Sequence, residues 1–371
     1  MITMTCLMFL SAGLMSCGQK KPSVEFAQKT SSLVIAVAYN SLHQDAILLH
    51  EQSQNCLRDI TDYAAVLEQV KPQWINAWAS WQLVQWVQFG PIKQGGREWA
   101  LQFWPDKKNL VGNKIKRLLL NKDFINDKAI EKDGVVVQGF SALEYLLFDK
   151  NAQALFSTKQ RCLSINSIAK KIQITSESLN RDWHQYHQDN FLNINNPLPQ
   201  AEILATQQGV SIIINSMIAT MDTIIGRKIS TPFAIITNSD DSNKINYNDK
   251  KSNAYFLESW RSQTSIANIK QNISALQNII SVGGLSELLI ANDSQQLSQD
   301  LSDQISALLL LLESDAFDQS FFMQLSQDKL PTIKHIKNLY SGLIRLRRLL
   351  STDVSQLLGV KLGFNASDGD S

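Results

Sequence analysis

Between Ile333 and Leu357, apolar side chains fall at Ile333, Ile336, Leu339, Leu343, Leu346, Leu350, Val354 and Leu357, always three or four residues apart. That spacing places them on one stripe of an α-helix, and a strand would need alternation of period two. The same periodicity predicts long helices over 28–52, 58–89, 157–188, 200–226, 254–281, 294–313 and 329–358, with shorter ones near 109–121 and 136–149. Convincing strand alternation occurs nowhere. The predicted fold class is therefore all-α, most simply two helical bundles.

The stretch Asn193-Ile-Asn-Asn-Pro-Leu-Pro199 carries two prolines among polar turn formers and reads as the junction. The expected division is a leader over 1–16, an N-terminal bundle over 17–192, a linker over 193–200 and a C-terminal bundle over 201–371. The polar run 237–253 is expected to be a loop. A chain of 371 residues is long enough to give both bundles a core.

The run from Ile2 to Leu14 is apolar but too short to span a bilayer as a helix, and it has the length of a signal-peptide core. It leads into Leu14-Met15-Ser16-Cys17-Gly18, which looks like a lipoprotein signal with Cys17 as the lipidated residue. No Lys or Arg precedes the apolar run, a departure from that pattern. Gly18 stands where an aspartate would signal inner-membrane retention. The expectation is export to the periplasm and a lipid anchor in the outer membrane. After removal of Cys6 with the leader and lipidation of Cys17, Cys56 and Cys162 remain, a pair that an oxidising compartment allows to form a disulfide or leaves as two buried thiols.

Charged residues make up 19% of the chain and the formal net charge is +1. A nucleic-acid binder would need a concentrated positive surface, so no nucleic-acid partner is expected. The local cluster Arg345, Arg347 and Arg348 reads as a solvated helix face.

Six of the eight tryptophans lie between Trp74 and Trp104. They build a large aromatic core or a binding wall, and Trp74, Trp78 and Trp81 share one helical face. The segment Gly139-Phe-Ser-Ala-Leu-Glu-Tyr-Leu-Leu-Phe148 sets Glu144 into an apolar run, with Ser141 three residues earlier on the same face. A carboxylate buried there requires a compensating contact. Ser141 does not sit in the nucleophile elbow Gly-x-Ser-x-Gly, because Leu143 occupies the second glycine position. No His-Glu-x-x-His zinc motif occurs either. His184 and His187, with Asp182 or Asp189 nearby, could share a metal but read more simply as a polar helix end.

The segment 139–148 resembles the imelysin-like signature, whose usual form is Gly-x-His-x-x-Glu. Similar agreement extends to Trp81-Gln82 through Phe89-Gly-Pro91, Phe103-Trp-Pro-Asp-Lys-Lys108, Phe256-Leu-Glu-Ser-Trp-Arg-Ser262 with Asn268-Ile269, and the tail Leu358–Asp370. The resemblance is to the periplasmic lipoprotein branch and covers nearly the whole mature chain. It implies two helical bundles that arose by duplication. The family includes a protein described as an insulin-cleaving membrane protease and members that occur with bacterial iron-uptake systems. The resemblance thus implies a binding component for iron or haem, with iron-uptake membrane proteins as partners. An atypical metallopeptidase and a structural interaction lipoprotein are the alternatives. The chain matches the signature at Gly139 and Glu144 and departs from it at Ser141, and a hydroxyl is a poorer transition-metal ligand than imidazole.

The expected ligand cleft lies between the bundles and is lined by Gly139, Ser141, Glu144, Asp106, Lys107, Arg97, Trp260, Arg261 and the tail residues Asn365, Asp368 and Asp370. Glu144 is the one candidate metal ligand. It is expected either to accept hydrogen bonds from loop amides or to pair with a cation such as Arg97, Lys107 or Arg261, locking the interface between the bundles, unless it contacts the ligand directly.

Overall fold

The computed structural model describes residues 21–58, 61–192, 204, 206–236, 244–248, 251–317, 320–326 and 333–363. The expected leader, Cys17, the linker 193–200 and the tail residues Asn365, Asp368 and Asp370 lie outside them.

The described chain is all-α apart from one small antiparallel pairing. The N-terminal part runs α1 (Pro22–Lys29), α2 (Ala36–Ser53), α3 (Tyr63–Val84), α4 (Arg97–Leu101), α5 (Leu110–Leu119), α6 (Asp127–Asp133), α7 (Gly139–Phe148), α8 (Lys150–Leu155) and α9 (Thr158–His187). The second part runs α10 (Gln207–Asp222), α11 (Thr231–Phe233), α12 (Ser265–Ser281), α13 (Leu285–Ile290), α14 (Gln295–Leu312), α15 (Phe321–Ser326), α16 (Ile333–Arg348) and α17 (Ser355–Leu357). Strands β1 (Ile235–Ile236) and β2 (Asn246–Tyr247) pair within the predicted loop 237–253 and its entry.

Local sequence explains where the helices begin. Ser157 and Gln160 form a reciprocal capping box at the start of α9, Asp62 caps α3 and Asp149 caps α8. Helices α2, α3 and α9 pack on one another, with α7 against α9 and α3. In the second part α12, α14 and α16 pack in sequence, and α10 lies against α16. The stripe read on the last helix is the buried one: Ile336, Leu339, Leu343, Leu346, Leu350 and Val354 are all buried. The continuous helical stretch Gln207–Phe233 is long and apolar enough to cross a membrane, but most of its apolar window is buried in the fold. Cys56 and Cys162 form a disulfide with Cα atoms 5.4 Å apart, fastening the end of α2 to α9.

The two parts meet where α12 lies along α3 and where α1 lies against α10 and α13, and polar side chains hold the first of these contacts. Trp78 Nε1 donates to Asn268 Oδ1 at 2.8 Å, and Asn272 Nδ2 donates to the carbonyl oxygen of Gln82 at 2.8 Å. Buried hydrogen bonds of this kind fix one register, because any slip would strand their donors and acceptors.

One predicted helix differs in a way that matters for the site. The helix expected over 254–281 begins only at Ser265. Ser259 and Gln263 adopt left-handed backbone angles, with φ of 52° and 61°. The carbonyl of Glu258 accepts from Ser265 Oγ at 2.5 Å. The intervening residues therefore form a compact turn rather than helix.

Candidate functional site

The turn before α12 faces α7 and the Phe103–Asn109 loop across a cavity of about 760 Å³. Ser141, Glu144, Asp106, Lys107, Trp260 and Arg261 all line it. Gly139 does not line it but holds its wall in place. With φ of +68°, it starts α7 in a conformation suited to glycine, and a Cβ there would lie 2.3 Å from the carbonyl oxygens of Ala100 and Leu101. Arg97 is a correction. It lines neither this cavity nor its neighbour, because its guanidinium turns to α9 and pairs with Asp182 at 2.5 Å, with a further bond to the carbonyl of Pro91 at 3.1 Å.

Glu144 is buried and finds its partner on the turn. Its Oε1 accepts from the backbone N–H of Ser262 at 3.0 Å and from Ser262 Oγ at 2.9 Å. Burial pushes its carboxyl above the ordinary range. The nearby Arg261 guanidinium and the Ser262 hydrogen bonds pull it back, while Glu258 adds to the upward push.

Arg261 itself is committed to Asp149. Its Nε lies 2.7 Å from Asp149 Oδ2, its Nη2 donates to Asn109 Oδ1 at 2.9 Å, and its guanidinium stacks 4.3 Å from the Trp260 ring centre. Asp149 accepts at the same time from Asn151 N at 2.8 Å as the cap of α8. Asp106 is a cap as well, accepting from Leu110 N at 2.6 Å and Val111 N at 3.0 Å at the start of α5.

Behind the cavity lies a buried polar cluster that the sequence reading missed. Lys228 and Glu258 form an ion pair at 2.7 Å, with both side chains only 2% exposed. Lys228 Nζ also donates to Asn272 Oδ1 at 2.6 Å, Gln82 Oε1 at 2.9 Å and Gln85 Oε1 at 3.2 Å. Gln102 receives Trp81 Nε1 at 2.7 Å and donates to Glu258 Oε1 at 2.7 Å. Burial lowers the Lys228 pKa, and Glu258 opposes that shift. The signal was available: Lys228 stands in Ile224-Ile-Gly-Arg-Lys-Ile229 much as Glu144 stands in its own apolar run.

The tryptophans divide between the core and the cavity wall. Trp74, Trp78, Trp81 and Trp86 are buried, and Trp74 and Trp78 stack with ring centres 5.5 Å apart. Trp74, Trp78, Trp99 and Trp104 also line the cavity. From the opposite part, Trp260 stacks on Phe322 at 5.3 Å and meets Tyr255 edge-on at 4.8 Å.

The described residues do not fit a metal ion held by protein ligands. Ser141 Oγ donates to the carbonyl of Phe103 at 3.2 Å, and one Glu144 oxygen is engaged by Ser262. No group of three or more His, Cys, Asp or Glu side chains able to hold a metal occurs among the described residues. His187, from the pair weighed as a metal site, contacts Ser31 Oγ through Nδ1 at 2.8 Å and stacks on Phe191. What the site offers is an aromatic, hydrogen-bonded recess suited to binding an organic molecule.

Comparison with known proteins places this architecture. No sequence among the curated proteins matches the chain. Among solved structures, an imelysin-like protein from Psychrobacter arcticum 273-4 superposes with a TM-score of 0.75 at 18% identity, covering 93% of this chain and 98% of its own. A putative iron-regulated protein A precursor from Parabacteroides distasonis ATCC 8503 superposes with a TM-score of 0.65 at 14% identity, covering 92% and 95% respectively. At such identities the likeness is one of fold. The imelysin family model, peptidase M75, matches residues 35–349. This chain belongs to the imelysin family.

Proposed function

We propose that this protein is a binding component in iron or haem acquisition, anchored by lipid at Cys17 to the periplasmic face of the outer membrane. The observation that carries the reading is the cavity of about 760 Å³ between the two parts, walled by aromatic rings and bordered by fixed polar groups. Its volume falls within the range of small-molecule sites. Because no group of side chains able to hold a metal ion occurs among the described residues, the iron would arrive already complexed by an organic ligand, and the protein would recognise that ligand. The structural neighbour named as an iron-regulated protein A precursor supports the same direction.

The test is to expose the lipid-free chain 18–371 to haemin, ferric citrate and ferric chloride, then desalt and measure bound iron. Tryptophan emission would be followed in parallel. Retention of a complexed form, with quenching of the cavity tryptophans, is the expected result. Failure to retain iron in any of the three forms would reject an iron-carrying role.

A further inference from the structure

We infer that the cavity selects a ligand with a flat aromatic ring system that also carries acidic groups. This rests on the reading of the cavity as a binding site and adds what it binds.

The aromatic half of the inference comes from exposure. Trp99 and Tyr255 remain 46% and 63% exposed although both line the cavity. Large aromatic surface left in water within a recess is surface available to a partner. Trp99 belongs to α4, while Tyr255 lies just before the turn carrying Trp260, so the two parts of the protein each supply rings. A flat π-system would gain stacking from both walls.

The acidic half comes from the charges. Four carboxylates line the cavity, and each has a structural occupation: Asp106 caps α5, Glu144 receives Ser262, Asp149 holds Arg261 and Glu258 holds Lys228. Of the lining cations, Arg261 is thereby used. Lys107, Lys108 and Arg227 are exposed and make no ion pair among the described residues. Among the described residues, the charged side chains that line the cavity with neither an ion pair nor a hydrogen bond to hold them are therefore cations. A smaller cavity of about 250 Å³ shares Trp99, Gln102, Trp104 and Arg227 with the main one, so Arg227 stands beside rings at the junction of two recesses. There it can meet an acidic group while the ring system lies against Trp99 and Trp104.

The experiment compares metal-free protoporphyrin IX, its dimethyl ester, haemin and ferric citrate by tryptophan quenching of the lipid-free chain. The acid should bind about as well as haemin, and the ester should bind roughly tenfold or more weakly, a difference of about 1.4 kcal/mol. The triple variant Lys107→Ala/Lys108→Ala/Arg227→Ala should weaken the acid to a similar degree, and Trp99→Ala should weaken both acid and ester. Far-UV circular dichroism confirms that the variants remain folded, and all four positions are exposed.

Haemin binding without binding of the metal-free acid would overturn the inference and leave the iron-acquisition reading standing. Ferric citrate binding alone would do the same. Acid binding that ignores the triple variant and Trp99→Ala would also overturn it. Binding of the metal-free acid with no iron-bearing probe retained would uphold the inference while removing the role in iron acquisition.

Discussion

Glu144 and Ser262 are 118 residues apart in sequence, yet a single carboxylate oxygen of Glu144 accepts both the backbone N–H of Ser262 at 3.0 Å and its hydroxyl at 2.9 Å. The contact ties α7 to the turn that forms the facing wall. It also explains why an apolar helix carries a glutamate: the carboxylate is the acceptor for donors on a partly buried turn of the other part.

Burial holds the native Glu144 carboxyl above its ordinary value of 4.5. Over the interval from there to the native pKa, the folded protein binds more protons than the unfolded chain. Its contribution to stability is full below that interval and declines as pH rises through it. Glu144→Gln keeps an oxygen acceptor for Ser262 and removes the titration, so urea unfolding from pH 4 to 8 should show a flatter pH dependence. Glu144→Ala removes the acceptor and should lower stability by about 1–3 kcal/mol. Identical pH slopes for wild type and Glu144→Gln would contradict this account.

The Lys228–Glu258 pair lies deeper, at 2.7 Å with both partners almost fully buried. Lys228→Met would leave the Glu258 carboxylate buried without its cation and should lower stability by about 3–5 kcal/mol. Lys228→Met/Glu258→Gln removes both charges and should recover most of that loss. A double variant as unstable as the single one would show that the charge pair is not the source of the coupling.

The Cys56–Cys162 disulfide closes a loop of 106 residues between α2 and α9. Constraining so long a segment in the unfolded chain is worth about 4–5 kcal/mol in the chain-entropy view. Cys56→Ser/Cys162→Ser should fold to the same helical content but melt well below the oxidised wild type. An equal melting temperature under oxidising and reducing conditions would show that the bond contributes nothing to stability.

At Gly139 the backbone leaves no room for a side chain, since a Cβ would meet two carbonyl oxygens at 2.3 Å with φ at +68°. Gly139→Ala should therefore destabilise by about 3 kcal/mol or more, combining left-handed strain with a backbone clash. The same substitution at Gly95, also left-handed but with open space around it, should be milder. Equal effects at the two positions would mean that the contact with α4 is unimportant.

The helices were largely legible because their apolar stripes are local: α9 was expected over 157–188 and spans Thr158–His187. What sequence periodicity could not show was the turn at 257–264, whose apolar residues also suit a helix. Its geometry is set by Lys228 and Glu144, which lie far away in sequence. Of the residues that composition and resemblance put forward as lining a cleft, Glu144, Ser141, Asp106, Lys107, Trp260 and Arg261 all face one cavity. Arg97, expected as a possible cation partner of Glu144, lies outside the cavity because sequence says nothing of its direction, which the Asp182 pair on α9 determines. Lys228 was missed although its setting in an apolar helix was the same kind of signal as Glu144.

The serine at position 141 leads to the last prediction. In the family signature an imidazole stands there, one helical turn from the glutamate, whereas here the Ser141 hydroxyl donates to the Phe103 carbonyl at 3.2 Å. A hydroxyl is a weak transition-metal donor and Glu144 is engaged by Ser262, so the wild-type chain should pass a desalting column without stoichiometric iron, zinc or copper. Ser141→His would place a nitrogen donor on the same helical face as Glu144 and should raise zinc and copper affinity above wild type. Adding Glu144→Gln to Ser141→His should abolish that gain. Elemental analysis after desalting and isothermal titration with zinc and copper salts read the outcome. Stoichiometric metal in the wild type, lost in Glu144→Gln, would show that the hydroxyl and carboxylate suffice as they stand. An unchanged affinity in Ser141→His would show that the Ser262 contact, and not the missing imidazole, keeps Glu144 from a metal.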